Sequence, residues 1–189
     1  MPAMTTRWVA AAVASVVGGA LAVPMIFGTG DAVQMQETSP VPSHERATPG
    51  CQAEKKADLN FTLKDMNGAD VRLSDFKSKV LLINFWGTWC APCRAEIPEL
   101  IKIAGKYKDK GVMVLGLAQQ DTPEDLRAFA AEHKMNYPSL MSTPEVEEAF
   151  GPMWAVPMSF IVDRAGSICF KHIGPVTTEQ VEKALQPLL

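Results

Sequence analysis

Two cysteines, Cys90 and Cys93 in the run Trp89-Cys90-Ala91-Pro92-Cys93, carry the most pointed chemistry in the sequence. A pair at this spacing can exchange a disulfide bond with a partner, one sulfur attacking while the other closes the ring. The run follows the near-continuous apolar stretch Val80 to Trp86 and precedes Ile97, Leu100, Ile101 and Ala104 at helical spacing. Cys90 therefore falls where a buried strand passes into a helix. There, unpaired N–H groups and the positive end of the helix dipole favour thiolate over thiol. Such placement moves a cysteine pKa from ~8.5 into the range ~3.5–7.5, a usable nucleophile near neutral pH. Cys93, one turn on, faces the same side and is more shielded. The expected division of labour is attack by Cys90 on a client disulfide and resolution of the mixed disulfide by Cys93.

Other uses of the pair fit less well. Half of a zinc site needs further ligands, but Cys51 and Cys169 stand far apart in the sequence, and His44, His133 and His172 form no paired motif, so no metal is expected. A purely structural bridge across so short a loop removes little entropy from the unfolded chain.

The elements that must hold this pair can be read on either side of it. Phe61 to Leu63 and Val71 to Leu73 alternate around Asn67-Gly68, a small hairpin. After the strand 80–86 and its helix, which Pro98 should kink, comes a second apolar strand, 112–118. Thr122-Pro123-Glu124-Asp125 opens a helix carrying Leu126, Phe129 and Ala130 inward, and Thr143-Pro144 opens a shorter one to Phe150. Residues 159–162 and 168–170 form an antiparallel pair around Asp163 to Gly166. Thr177 and Gln180 cap a last helix that buries Val181, Leu185 and Leu188. The order predicts an α/β fold, a mixed sheet flanked by helices with a hairpin extension at its N-terminal side.

The first residues read differently. After Arg7, residues Trp8 to Gly30 carry no charge, and Trp8 to Phe27 supply 20 mostly apolar positions, enough to cross a bilayer. With Arg7 before the run and Asp31 after it, the remainder is expected outside the cytoplasm. A signal peptide cut after Ala20-Leu21-Ala22 and a retained membrane anchor both fit; continuation of the run through Phe27 favours the anchor. The chain thus divides into an anchor or signal segment 1–27, a Pro/Ser/Thr-rich flexible linker 28–57, and a domain 58–189. A linker of that kind would give a reach of ~25 Å.

Composition narrows the partners. With 47% hydrophobic and 21% charged residues the chain can build a core, and a net charge of -3 without a basic face excludes nucleic acid as an expected partner.

Phe85-Trp86-Gly87-Thr88-Trp89-Cys90-Ala91-Pro92-Cys93, with Pro98 and Val156-Pro157, resembles thioredoxin. The leading hairpin, Leu73-Ser74-Asp75-Phe76 and Glu96 resemble more closely its membrane-tethered extracytoplasmic branch, typified by TlpA, ResA and DsbE, from about Asp58 onward. The resemblance implies a thiol–disulfide oxidoreductase on the periplasmic side of a bacterial inner membrane, a monomer without cofactor, recharged by a membrane thiol donor. Its implied clients are proteins of cytochrome c maturation or copper-site assembly. It implies that Pro157 is a cis-proline beside the cysteine pair, with Trp89, Ala91, Pro92, Val156 and Pro157 contacting substrate; from the residues alone Pro157 reads equally as a trans proline opening a strand. It also gives Glu96 a proton-transfer role with the cysteines, against the plainer reading of a first-turn carboxylate favoured by the helix dipole.

Two departures stand out. Asn84 replaces the buried acid usual in cytoplasmic thioredoxins, which shifts weight to Glu96, and Met158 follows the proline where Thr is commoner. Cys51 and Cys169 are open between a second, structural bridge and two free thiols. A copper-binding module of the same fold is the alternative function, although the ten methionines show no cluster. A peroxiredoxin reading lacks its isolated peroxidatic cysteine.

Overall fold

The computed structural model describes Cys51 and residues 55–189. A hairpin, β1 (Thr62–Lys64) and β2 (Asp70–Arg72), turns at Gly68, whose φ of +81° glycine adopts without strain. The Asp65 carboxylate accepts the N–H groups of Asn67 and Ala69 and fixes that turn. A 3-10 turn, Leu73–Phe76, leads to β3 (Val80–Trp86), buried along its whole length. Then follow α1 (Ala91–Tyr107), β4 (Val112–Ala118), α2 (Pro123–Glu132), β5 (Ser139–Met141) and α3 (Pro144–Phe150). The chain closes with β6 (Met158–Val162), β7 (Ile168–Ile173) and α4 (Thr178–Leu185).

The main sheet has the order β5-β4-β3-β6-β7, with β3, β4 and β5 parallel and the last two strands antiparallel. This is the mixed sheet flanked by helices that the sequence predicts. Side chains alternate across β3. Leu82 and Trp86 join Ile97, Leu100 and Ile103 of α1 and Val181 and Leu185 of α4 on one face, while Leu81, Ile83 and Phe85 join Val146 and Phe150 of α3 on the other. A core on both faces explains the unbroken apolar run of β3.

The structure departs from the sequence reading at β5 and at residues 55–57, and leaves α1 unbroken at its internal proline. β5 was not anticipated: three residues give too short a period to read, and its pairing with Gly116 to Ala118 defines it. The helix α1 continues through Pro98, which lies at its exposed surface. Residues 55–57, assigned by composition to the linker, lie against the domain: Lys56 bridges Ser167 and the N–H of Ala57 donates to the Gly166 carbonyl. The anchor or signal segment, residues 1–27, falls outside the described residues, among which no helix is long and apolar enough to cross a membrane.

Candidate active site

The parallel strand β3 delivers Gly87-Thr88-Trp89 to the start of α1, and each is held there. The Trp89 indole folds back so far that a Cβ on residue 87 would sit 2.5 Å from its Nε1, which leaves glycine as the residue that fits. That Nε1–H donates to the Gln119 carbonyl at 3.0 Å, and the Thr88 N–H donates to Asp121 at 2.9 Å. Even so tethered, Trp89 remains 54% exposed.

Cys90 is the N-cap of α1, with extended backbone and a sulfur that accepts the Cys93 N–H at 3.2 Å. Ala91 and Pro92 occupy the first turn and are exposed; proline there forfeits no helical hydrogen bond. Cys90 and Cys93 form a disulfide with their Cα atoms 5.2 Å apart. The pair is asymmetric: Cys90 keeps 5% exposure and Cys93 has none. The Val156 carbonyl lies 3.6 Å from the Cys90 sulfur, and the Val156–Pro157 peptide is cis. The predicted site residues Trp89, Cys90, Ala91, Pro92, Cys93 and Val156 thus meet at one end of the sheet.

Glu96 is not a solvated first-turn carboxylate. It is buried; Oε1 accepts from the Asn84 amide at 2.9 Å and Oε2 accepts the Val176 N–H at 2.8 Å. Burial pushes its pKa up to about 7 against the pull of those two donors. Asn84, which stands where cytoplasmic thioredoxins have a buried acid, holds this carboxylate, and the same amide donates to Ser159 at 3.0 Å. Tyr137 has a buried hydroxyl whose pKa burial, and then the Glu96 charge, push up. Ser159, Tyr137 and Val176 were missed by sequence reasoning because they lie far along the chain from Glu96 and belong to no motif. Trp154 was also missed; it stands 80% exposed two residues before Val156.

Cys51 and Cys169 are bridged, with Cα atoms 5.0 Å apart. A register shift pairs Phe170 with Ile161 and Ile168 with Val162, so Cys169 is the extra residue of a bulge, free to turn toward Cys51. The Asp163 carboxylate lies within 4.8 Å of both sulfurs, which are committed to each other.

Residues 53–171 match the AhpC/TSA family. The chain belongs to that family. It is 33% identical over 130 residues to the thiol-disulfide oxidoreductase ResA of Bacillus thuringiensis subsp. konkukian, covering 68% of this chain and 75% of that one. It is 39% identical over 114 residues to the thiol:disulfide interchange protein HelX of Rhodobacter capsulatus, covering 59% and 61%. Among solved structures, a putative DsbE thiol:disulfide interchange protein from Chlorobium tepidum superposes with a TM-score of 0.63 at 27% identity, over 71% of this chain and 99% of that one. This AhpC/TSA member is a thiol–disulfide oxidoreductase with a thioredoxin-like fold, as the motif around Cys90 indicated.

Proposed function

We propose that the protein reduces disulfides of client proteins outside the cytoplasm, with Cys90 as nucleophile, Cys93 as resolving thiol and Glu96 as the group that takes the Cys93 proton. In the dithiol form, the Cys90 thiolate attacks one sulfur of the client disulfide; a Cys90–client bond forms and the other client sulfur leaves as thiolate. Glu96 accepts the proton of Cys93, whose thiolate then attacks the Cys90 sulfur. The client departs with both sulfurs reduced and the enzyme holds the Cys90–Cys93 bond, two electrons having passed to the client. A membrane thiol donor restores the dithiol.

The asymmetry of the pair carries this reading: only Cys90 has exposed surface, and the Val156 carbonyl stands beside it as an acceptor for an extended client segment. Trp89, Ala91, Pro92, Val156 and Pro157 form the surface against which that segment lies. The clients we favour are apocytochrome c thiols awaiting haem and cysteines of copper sites, reached from the anchor formed by residues 8–27.

Insulin reduction tests the mechanism and trapping tests the clients. Cys90→Ser is expected to abolish turnover, and Cys93→Ser to accumulate a client joined to Cys90 through one bond. Turnover that survives Cys90→Ser would overturn the assignment.

A further inference from the structure

At the edge of the sheet opposite Cys90, exposed cations converge from four stretches of chain. Lys77 and Lys79 precede β3, Lys108 and Lys110 precede β4, Arg164 sits in the β6–β7 turn, and Lys55 and Lys56 lie where the polypeptide enters the domain. Register keeps these segments level: Val80 pairs with Val112, the Val80 N–H donates to the Gly111 carbonyl at 3.0 Å, and Lys56 bridges Ser167. The Arg164 guanidinium lies 3.6 Å from where a Cβ of Gly111 would be. The acids near these cations are Asp58, Asp109, Asp163 and Glu182; Glu182 pairs with Lys106 and lies within electrostatic reach of Lys110, and one Asp163 oxygen is taken by the N–H groups of Ala165 and Ser167. The Cys90 end carries Asp121, Glu124 and Asp125 after β4 and Glu145 after β5, with Arg94 exposed in the first turn of α1. A net charge of -3 for the whole chain thus coexists with an excess of cations at this one edge.

A cleft of about 310 Å³ opens among the cations, lined by Lys56, Lys77, Lys79 and Arg164 with the single acid Asp163, and by the apolar Leu59 and Leu81. A mainly cationic lining that includes apolar side chains matches a phosphate headgroup with the first carbons of its glycerol backbone better than it matches a wholly polar polyanion. The chain supplies the second argument. The Cys51–Cys169 bridge fixes the point of arrival at this same edge, and upstream in the sequence lies the uncharged run Trp8 to Phe27.

We propose that this edge docks on the anionic lipid headgroups of the membrane surface, which turns Cys90 away from the bilayer toward its clients. The proposal rests on the anchor reading given above. Each lysine close to an anionic surface adds about fivefold to partitioning, within a Debye length of ~10 Å at 0.1 M salt.

Lysine modification read by mass spectrometry tests it on the full chain, reconstituted into vesicles of phosphatidylcholine alone or with an equal part of phosphatidylglycerol. Lys77, Lys79 and Lys110 are expected to label at least about fivefold more slowly on the anionic vesicles at low salt, while Lys64 and Lys102 change little. Molar salt should remove the difference, and in the K77E/K79E/K110E variant the neighbouring Lys55 and Lys108 should label equally on the two vesicles, with insulin reduction unchanged. Equal labelling on the two vesicles, or equal slowing of Lys64 and Lys102, overturns the docking face. If the chain fails to float with phosphatidylcholine vesicles, the anchor reading fails by itself. The unanchored chain mixed with anionic vesicles then decides the face: flotation abolished by K77E/K79E/K110E upholds it, and absence of flotation overturns it.

Discussion

Glu96 is where a single residue couples folding to chemistry. Its pKa rises from 4.5 to about 7 in the folded protein, so the native state holds this proton to higher pH than the unfolded chain does. The stability that goes with the bound proton is complete below pH 4.5, drains away between 4.5 and 7, and is gone above, a loss of about 3 kcal/mol. Glu96→Gln cannot ionise, and Asn84 has a buried carbonyl oxygen without a partner to receive the new amide. Urea unfolding of the oxidised protein should show Glu96→Gln more stable than the parent at pH 8 by about 2 kcal/mol, allowing for one imperfect hydrogen bond, and no more stable at pH 4. Turnover of the same variant should lose its rise through pH 7. A parent protein that gains stability between pH 5 and 8 through this group would contradict the assignment. The cysteines were legible because their spacing is the chemistry, whereas the environment of Glu96 was not: Asn84 on β3 and Val176 in the loop before α4 donate to it from distant parts of the chain.

The elements were read best where one physical cause dominates. β3 and β4 announce themselves by unbroken apolar runs, and α2, α3 and α4 by Thr N-caps whose side chains accept the N–H three residues on. The short β5 has no such signal and exists through its neighbours. Trp86 on β3 reaches across β4 to donate to the Ser139 hydroxyl on β5 at 3.2 Å, and Gly116 gives it passage. A Cβ on residue 116 would lie 2.8 Å from both the Ser139 oxygen and the Trp86 nitrogen. Gly116→Ala should therefore destabilise the fold by about 2 kcal/mol in chemical unfolding, and adding Ser139→Ala should cost less than the separate effects combined. Strict additivity would show that the crowding is not shared.

Across the whole molecule, the Cys51–Cys169 bridge joins residues 118 apart and so withdraws freedom from nearly the entire unfolded domain. Replacing both by serine should lower unfolding free energy by about 3–5 kcal/mol while leaving insulin reduction intact, because the Cys90–Cys93 pair lies elsewhere. An unchanged unfolding midpoint would show that the bridge constrains nothing. The chain offered this pairing as one of two alternatives, and the structure decides for it; the bulge that turns Cys169 outward could not be read, since it depends on which strands become neighbours. Their placement matters for a protein that trades in disulfides. The antiparallel strands β6 and β7 set Val156 at one extremity and Cys169 at the other, separated by the five residues of β6, about 17 Å. A thiolate arriving at the working end finds no second bond within reach, so the molecule can be discharged and recharged repeatedly without unfastening itself.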